Sequence, residues 1–359
     1  MRFIFKTEYN QDIKLFPHSG YVFWYTLLIV AVFAAPLALD VFLVGELTQI
    51  FIYAIAALSL MVLMGYTGLP SFGHAGFMAI GAFTHAYLVN SGVPFLIAFP
   101  AVGALCGIIG VLLAIPLRKT TGIYFAIATL AFAIIIENLF KEWTSFTGGI
   151  PGVPVKNVNL FGYELVNEWQ FYYLCLITLV MVVLAVINLL RSHTGRALVA
   201  TRDSEISAVC MGVNIDKIKV IAFGVSGVII GLAGALFAHK MTHITPEIFT
   251  MLLSIQIVMM VVIGGLGSVH GAIFGAIALG VLPVIIAIVR DFLPSAVAQR
   301  VGLMELGIIG IILILFILFE PNGLYGRWLK IKLFMDMFPM YRRATFKRQK
   351  TYLKTERVR

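Results

Sequence analysis

Long apolar stretches separated by short polar breaks run through almost the whole chain. A helix needs roughly 20 apolar residues to cross hydrocarbon. Ten stretches approach that length, at about 21–43, 46–66, 72–89, 95–117, 121–140, 170–190, 219–238, 250–265, 269–289 and 302–319. Their apolar positions are continuous instead of alternating, which selects helices over the strands of a membrane barrel. The third, fifth and eighth are weaker: 250–265 is short for a crossing, and 72–89 contains Gly73, His74 and His85. The pattern predicts an all-α polytopic membrane protein of about ten, and at least eight, transmembrane helices. It divides the chain into an N-terminal segment 1–20, a membrane domain 21–320 and a polar tail 321–359. Two connections are long, an outer loop at 141–169 and an inner loop at 191–219. The apolar run 22–39 behind a polar start reads as a retained anchor and not as a cleaved signal.

Composition agrees with this picture. Sixty per cent of the 359 residues are hydrophobic and 12% charged, and the mean hydropathy is +0.99. A soluble domain of that length has too little interior to hide so much apolar surface. The net charge of +9 is not spread evenly. Residues 1–320 carry 15 Lys/Arg and 15 Asp/Glu, whereas the last 39 carry 11 Lys/Arg against Asp336 and Glu356. Basic residues beside membrane helices favour the cytoplasmic side and its anionic lipids, so nucleic acid is a poor reading of the excess. With ten spans, the termini and the inner loops share one side and hold 21 of the 26 Lys/Arg. Only Lys141, Lys156, Lys240, Arg290 and Arg300 are left for the other side. Both termini are therefore expected to be cytoplasmic. Cys106 and Cys175 sit in apolar runs and Cys210 in a basic loop, so no disulfide framework is indicated.

The inner loop holds the clearest local signals. Asp203 or Ser204 can cap a short helix, Glu205 suits its positive first turn, and Gly212 suits its end. Ile206, Val209 and Cys210 would give that helix an apolar face. It reads either as a docking piece for a cytoplasmic partner or as an ordinary surface loop with snorkelling arginines. Gly65–Gly81 and Gly264–Gly280 are Gly-rich breaks inside apolar runs, each with Gly-Leu-x-Ser followed by a histidine, His74 and His270. Such breaks can line a transport path, or the glycines can serve close helix packing. The spaced pairs Gly103/Gly107, Gly227/Gly231 and Gly271/Gly275 fit packing better. Neither histidine has an acid within a turn, so both read better as satisfied polar helix ends than as proton carriers. Glu137 and Glu305 fall near outer helix ends, where an acid reaches water. No Gly-x4-Gly-Lys-Ser/Thr sequence, no metal-ligand cluster and no buried acid–base pair at a span centre occurs. ATP binding by this chain, a bound cofactor or metal, and proton-coupled carriage are thereby disfavoured.

The run Gly195-Arg-Ala-Leu-x-Ala-x-Arg-Asp-x-Glu-Ile-x-Ala-x-x-x-Gly-Val-Asn214 resembles the coupling loop of LivM-type branched-chain amino acid permeases. Gly65-Tyr-Thr-Gly-Leu-x-Ser-Phe-Gly-His-Ala-Gly-Phe77, Thr147-Gly-Gly149, Gly231-Leu-Ala-Gly-Ala-Leu236, Gly264-Gly-Leu-Gly-Ser268 and Phe319-Glu-Pro-Asn-Gly-Leu324 follow in the same order. The resemblance implies an ABC importer permease with no enzymatic activity of its own, in the bacterial inner membrane. It implies a homologous LivH-type permease, two cytoplasmic ATP-binding subunits and a periplasmic substrate-binding protein as partners; the basic tail, by its own charge, is expected either to bind anionic lipids or to be a solvated end. It also implies roles for residues. Gly195, Arg196, Arg202, Asp203, Glu205, Ala208 and Gly212 would form the ATPase-coupling loop. From the two glycine breaks, and not from the resemblance, Ser71, Gly73, His74, Gly76, Gly264, Gly265, Gly267, Ser268 and His270 are candidates to line the translocation path. Thr147, Gly148, Gly149 and Gly152 would face the binding protein. Against the broader importer motif Glu-Ala-Ala-x3-Gly, this loop has its acid displaced by one position and Ser207 in place of an alanine. Urea and short-chain amide permeases resemble the same family, and a stand-alone secondary transporter or channel is the reading from another class.

Overall fold

The computed structural model describes residues 19–120, 122–160, 163–165, 167–291 and 323–337, with single positions between 307 and 318. The chain opens with α1 (Ser19–Ala38) and α2 (Val41–Leu60), the latter continued by a π-helical turn at Met61–Gly65. After the irregular stretch 68–73 come α3 (His74–Asn90), α4 (Phe95–Leu117) and α5 (Gly122–Glu142). A connecting region follows, with a one-turn α6 (Thr144–Thr147) and the short strands β1 (Val153–Pro154), β2 (Asn159–Leu160) and β3 (Tyr163–Glu164). Then come α7 (Glu168–Arg191), α8 (His193–Asp203), α9 (Glu205–Cys210) and the 27-residue α10 (Ile215–Met241). The strand β4 (His243–Ile244) pairs antiparallel with β1, and β2 pairs with β3. The described chain closes with α11 (Met251–Gly264), α12 (Val269–Asp291) and α13 (Gly323–Met337).

Among the described residues, seven helical segments are long and apolar enough to cross a bilayer: 41–65, 95–117, 122–142, 168–191, 215–241, 246–264 and 269–286. The apolar Val22–Ala38 is shorter, and α3 has 17 residues. Helices therefore occupy nine of the ten expected stretches. Of the tenth, 302–319, only Gly307, Gly310, Ile311, Ile314 and Leu318 are described, all helical.

Two boundaries differ from the sequence reading for local reasons. Asp40 takes an extended conformation (φ −66°, ψ 156°) and caps α2, so the second helix starts at 41 and the first ends by 38 instead of running to 43. The short eighth stretch gains a 3₁₀ turn at Pro246–Ile248, which carries the apolar segment from 246 to 264.

The bundle is built around α2 and α10. Their apolar windows are 78% and 67% buried, against 28% for α5 and for α7. The large exposed side chains on the outer helices are mostly apolar, such as Ile108, Leu112, Ile127, Ile135, Ile177 and Met181. Lipid is the solvent that such a surface requires. Glycines let the central backbones touch. An added Cβ at Gly81 would meet the Gly231 backbone, and one at Gly227 would meet the Cys106 carbonyl. The spaced glycine pairs thus act in close packing, as expected. Replacing Gly231 with Ala would place a Cβ 2.6 Å from Cys106 Cβ and 2.7 Å from its Sγ. The expected cost is about 1–3 kcal/mol of overpacking, read as a lower unfolding temperature of the detergent-purified chain.

Candidate coupling loop and translocation path

The loop between α7 and α10 is tied down at every turn. Ser192 Oγ donates to the Leu189 carbonyl (2.6 Å) and accepts the Gly195 N–H (3.3 Å), which starts α8. Gly195 leaves no room for a side chain against the backbone of Leu189 and Leu190. Of the two capping candidates, Ser204 fills the role: its Oγ accepts the Ser207 N–H at 3.2 Å. At the far end Gly212 (φ +82°) reverses the chain. Its N–H bonds the Val209 carbonyl, and that of Val213 bonds the Ala208 carbonyl, which is the Schellman pattern. The short helix expected after Asp203 or Ser204 is α9, and a second helix, α8, precedes it.

The coupling-loop residues point in different directions. Ala208 is buried, whereas Ile206, Val209 and Met211 are exposed by 80%, 57% and 84%, so the tip presents an apolar knob. Arg196 is exposed and donates to the Arg191 carbonyl (3.2 Å). Glu205 turns inward and pairs with Lys219 of α10 at 2.9 Å. Lys219 is only 2% exposed. Asp203 sits 3.5 Å from Arg202 Nε.

Arg202 itself reaches into the bundle, where its Nη1 donates to the Gly65 carbonyl at 2.7 Å. Gly65 ends the π turn after α2, and it also abuts Gly267, whose N–H points at Met61 Sδ (3.2 Å). A Cβ on Gly267 (φ +82°) would come 2.6 Å from Arg202 Nη1, and one on Gly68 (φ +76°) would come 3.1 Å from Arg202 Cγ. The coupling loop and both glycine breaks therefore meet at one point. Ser268 caps α12 by accepting the Gly271 N–H (2.9 Å). Gly264 lies against the Gly271 carbonyl, and Gly265 (φ +115°) lies against Gly323 of α13.

His270 is placed elsewhere. Its Nε2 bonds the Tyr25 hydroxyl at 2.6 Å, and its ring stacks on Tyr325 (5.9 Å between centroids). It joins α1, α12 and α13 through the aromatic side chains of Tyr25 and Tyr325.

A second polar tier lies deeper, at the start of α3. His74 is 2% exposed and its Nε2 lies 3.2 Å from Ser226 Oγ of α10. Ser59 of α2 donates to the Ser226 carbonyl at 2.8 Å. Around them, Ser71 Oγ accepts the Gly73 N–H (3.3 Å), Thr129 Oγ1 accepts the Phe72 N–H (3.1 Å) and Ser254 Oγ accepts the Ala75 N–H (2.9 Å). Gly73 and Gly76 pack on Thr129 and Ala133 of α5. The break 68–73 is thus a hydroxyl-lined piece of non-helical backbone enclosed by α2, α5, α10 and α11. Irregular backbone at membrane depth is tolerated only in such protein-enclosed places.

Eleven residues along α3, about 16 Å, stands a third tier. His85 Nε2 and His239 Nε2 are 2.9 Å apart, edged by Phe95 and Phe99. Sequence reasoning noted His85 only as a polar interruption and missed the pair, because the two residues lie on helices far apart in the chain. Among the described residues no group of three or more His, Cys, Asp or Glu could hold a metal ion.

At this end of the bundle, Thr147 is fully buried; its Oγ1 donates to the carbonyls of Phe140 (2.5 Å) and Trp143 (2.8 Å). It also accepts the Gly149 N–H at 3.2 Å. Gly148 and Gly149 both take φ +70°, and Gly152 (φ +76°) abuts the Ile244 carbonyl beside the β1–β4 pair. These residues shape the loop. The exposed tip they hold up is Ile150 and Pro151.

Comparison with known proteins settles the family. Residues 42–317 match the family model for the permease component of branched-chain amino acid transport systems. The chain belongs to this family. It is 34% identical over 328 residues to the high-affinity branched-chain amino acid permease LivM of Escherichia coli, covering 84% of this chain and 74% of that protein. The LivM of Salmonella typhimurium matches to the same extent. A probable LivH permease of Methanocaldococcus jannaschii is 26% identical over 290 residues, 77% of this chain and 89% of that one. No solved structure matches the chain. In this permease the match spans α2 to α12 and includes the coupling loop, both glycine breaks and all three polar tiers.

Proposed function

We propose that the chain is the LivM-type half of an ABC importer that carries leucine, isoleucine and valine across the bacterial inner membrane. Both termini and the α8–α9 loop lie in the cytoplasm, as the 21-to-5 split of Lys/Arg favours. A homologous LivH-type permease completes the membrane unit; the similarity of this chain to both LivM and LivH proteins fits such a pair. Of two ATP-binding subunits, one docks on the apolar knob of Ile206, Val209 and Met211 and the other on the partner permease, and a periplasmic binding protein delivers solute to the Ile150–Pro151 end. The tail 321–359 rests on anionic headgroups through α13, with Arg327 and Lys330 beside exposed Trp328 and Ile331.

One observation carries the reading. The exposed knob sits on a helix capped at both ends, and the loop that bears it is bonded through Arg202 to the carbonyl that ends α2. Movement imposed on the knob by closing ATPases has a stiff route to the two breaks. Cys210 offers the test without any mutation, since it is exposed on α9 while Cys106 and Cys175 are buried. A thiol-directed cross-linker applied to inside-out membranes holding the whole complex is expected to join Cys210 to the ATP-binding subunit. Failure to cross-link, together with full uptake by the purified chain alone, would replace the importer with a stand-alone transporter.

A further inference from the structure

We infer that the crevice at the end of the bundle opposite the coupling loop is a loading station that receives a free α-amino acid as its zwitterion. The inference rests on the import reading above and names the site where solute first meets this chain.

The crevice lies between the β1 region, the start of α7 and the end of α10, and encloses about 90 Å³ of solvent-accessible space behind an open mouth. One wall is apolar, made by Val155, Val158, Leu165 and Phe171. Val155, Val158 and Phe171 are buried by their neighbours, which fixes their positions. The other wall is charged. Lys240 Nζ stands 3.1 Å from Glu168 Oε2 across it. Lys156 adds a second cation at the rim, where its Nζ donates to the Asn90 carbonyl at 3.0 Å. His239 forms the floor and leads to His85 and the column of tiers below.

This is the complement of an aliphatic amino acid. The ammonium group matches Glu168, the carboxylate matches Lys240 with Lys156 beside it, and a branched side chain matches the apolar wall. A zwitterion entering the Lys240–Glu168 pair gives each charge a new partner, so no ion is left desolvated without compensation. Urea, an amide, or a ligand with one charge cannot do this. Opening the pair for them leaves at least one charge unpaired, which is discrimination by penalty. The same chemistry explains why two cations and one carboxylate line a crevice at this end, where the whole chain has so few Lys/Arg.

Right-side-out vesicles holding the complete transporter provide the test. Leu165→Cys places a thiol in the apolar wall, and Asn157→Cys at the rim serves as a second position should the first fail to fold. A membrane-impermeant maleimide reaches only this face, and Cys106 and Cys175 are buried. At a leucine concentration twice its Kd, about one third of the sites remain free, so labelling slows about threefold. The same concentration of 4-methylpentanoate, 3-methylbutylamine or urea is expected to leave the rate unchanged. Glu168→Gln is expected to abolish protection by leucine. Equal protection by urea, or no protection by leucine at either position, overturns the station. Uptake of labelled leucine by wild-type vesicles charged with ATP and supplied with binding protein is scored separately. Uptake without protection removes the station and leaves the import reading standing, whereas absent uptake removes the import reading itself.

Discussion

Arg202→Ala is expected to leave ATP hydrolysis running in the assembled transporter while solute uptake falls about tenfold. The Arg202 Nη1 bond to the Gly65 carbonyl is 2.7 Å long and joins the coupling loop to the end of α2. A charged donor on a carbonyl contributes about 1.5–3 kcal/mol. The Arg202 side chain is 40% exposed, so the lower figure applies, and about 1.4 kcal/mol corresponds to a factor of ten. The variant keeps the exposed knob on which an ATP-binding subunit is proposed to dock, so docking and turnover are expected to persist. Gly267→Ala offers an independent route to the same defect. Its Cβ would stand 2.6 Å from Arg202 Nη1 and displace the guanidinium, and the residue would be held at a positive φ that alanine avoids. Because both changes break one contact, the double variant should be no worse than the more severe single one. Contacting residues show such non-additivity and distant ones do not. Uptake per ATP hydrolysed, measured in proteoliposomes for the four forms of the cycle, decides the matter. Independent, additive losses would show that Arg202 and Gly267 act separately, and unchanged coupling in Arg202→Ala would remove the latch altogether.

The fold was legible where hydrocarbon is the solvent. Continuous apolar runs leave few alternatives to helices, so nine expected stretches coincide with helices. The caps were legible too, since Ser204 and Gly212 act through neighbours only three or four positions away. Tertiary contacts were not. Arg202 and Gly65 are separated by 137 positions, as are many residues that could have met instead. The two glycine breaks look alike in sequence, yet one is enclosed by hydroxyls and the other ends in a histidine held by Tyr25 and Tyr325. Which is which depends on the elements packed around them. Thr147 lies in a motif that reads as exposed loop, and its burial follows from the hydroxyl turning back onto the end of α5. Lys219 gave no signal at all, because a lysine at the start of a span ordinarily snorkels to the surface.

That buried lysine changes what Glu205 does. The sequence pattern made Glu205 a candidate contact for the ATPase, but its carboxylate is engaged inside the chain, 2.9 Å from Lys219 Nζ. The Lys219 side chain is 3% exposed. Glu205→Ala would leave that ammonium buried without its counter-charge; because the Glu205 side chain is 39% exposed, water screens part of the loss, which is about 1–3 kcal/mol. The expected result is a lower unfolding temperature of the purified chain and rapid proteolysis between 204 and 214. Replacing both partners, Glu205→Gln with Lys219→Met, removes the charge along with its partner and should restore most of the stability. Transport separates the two roles of the acid. If Glu205 is a strut that fixes α9 on α10, the double variant regains uptake together with stability. If Glu205 touches the ATPase, the double variant regains stability and remains uncoupled. The geometry favours the strut, and then the contact with the ATPase belongs to Ile206, Val209 and Met211, which stand free on the other side of the same helix.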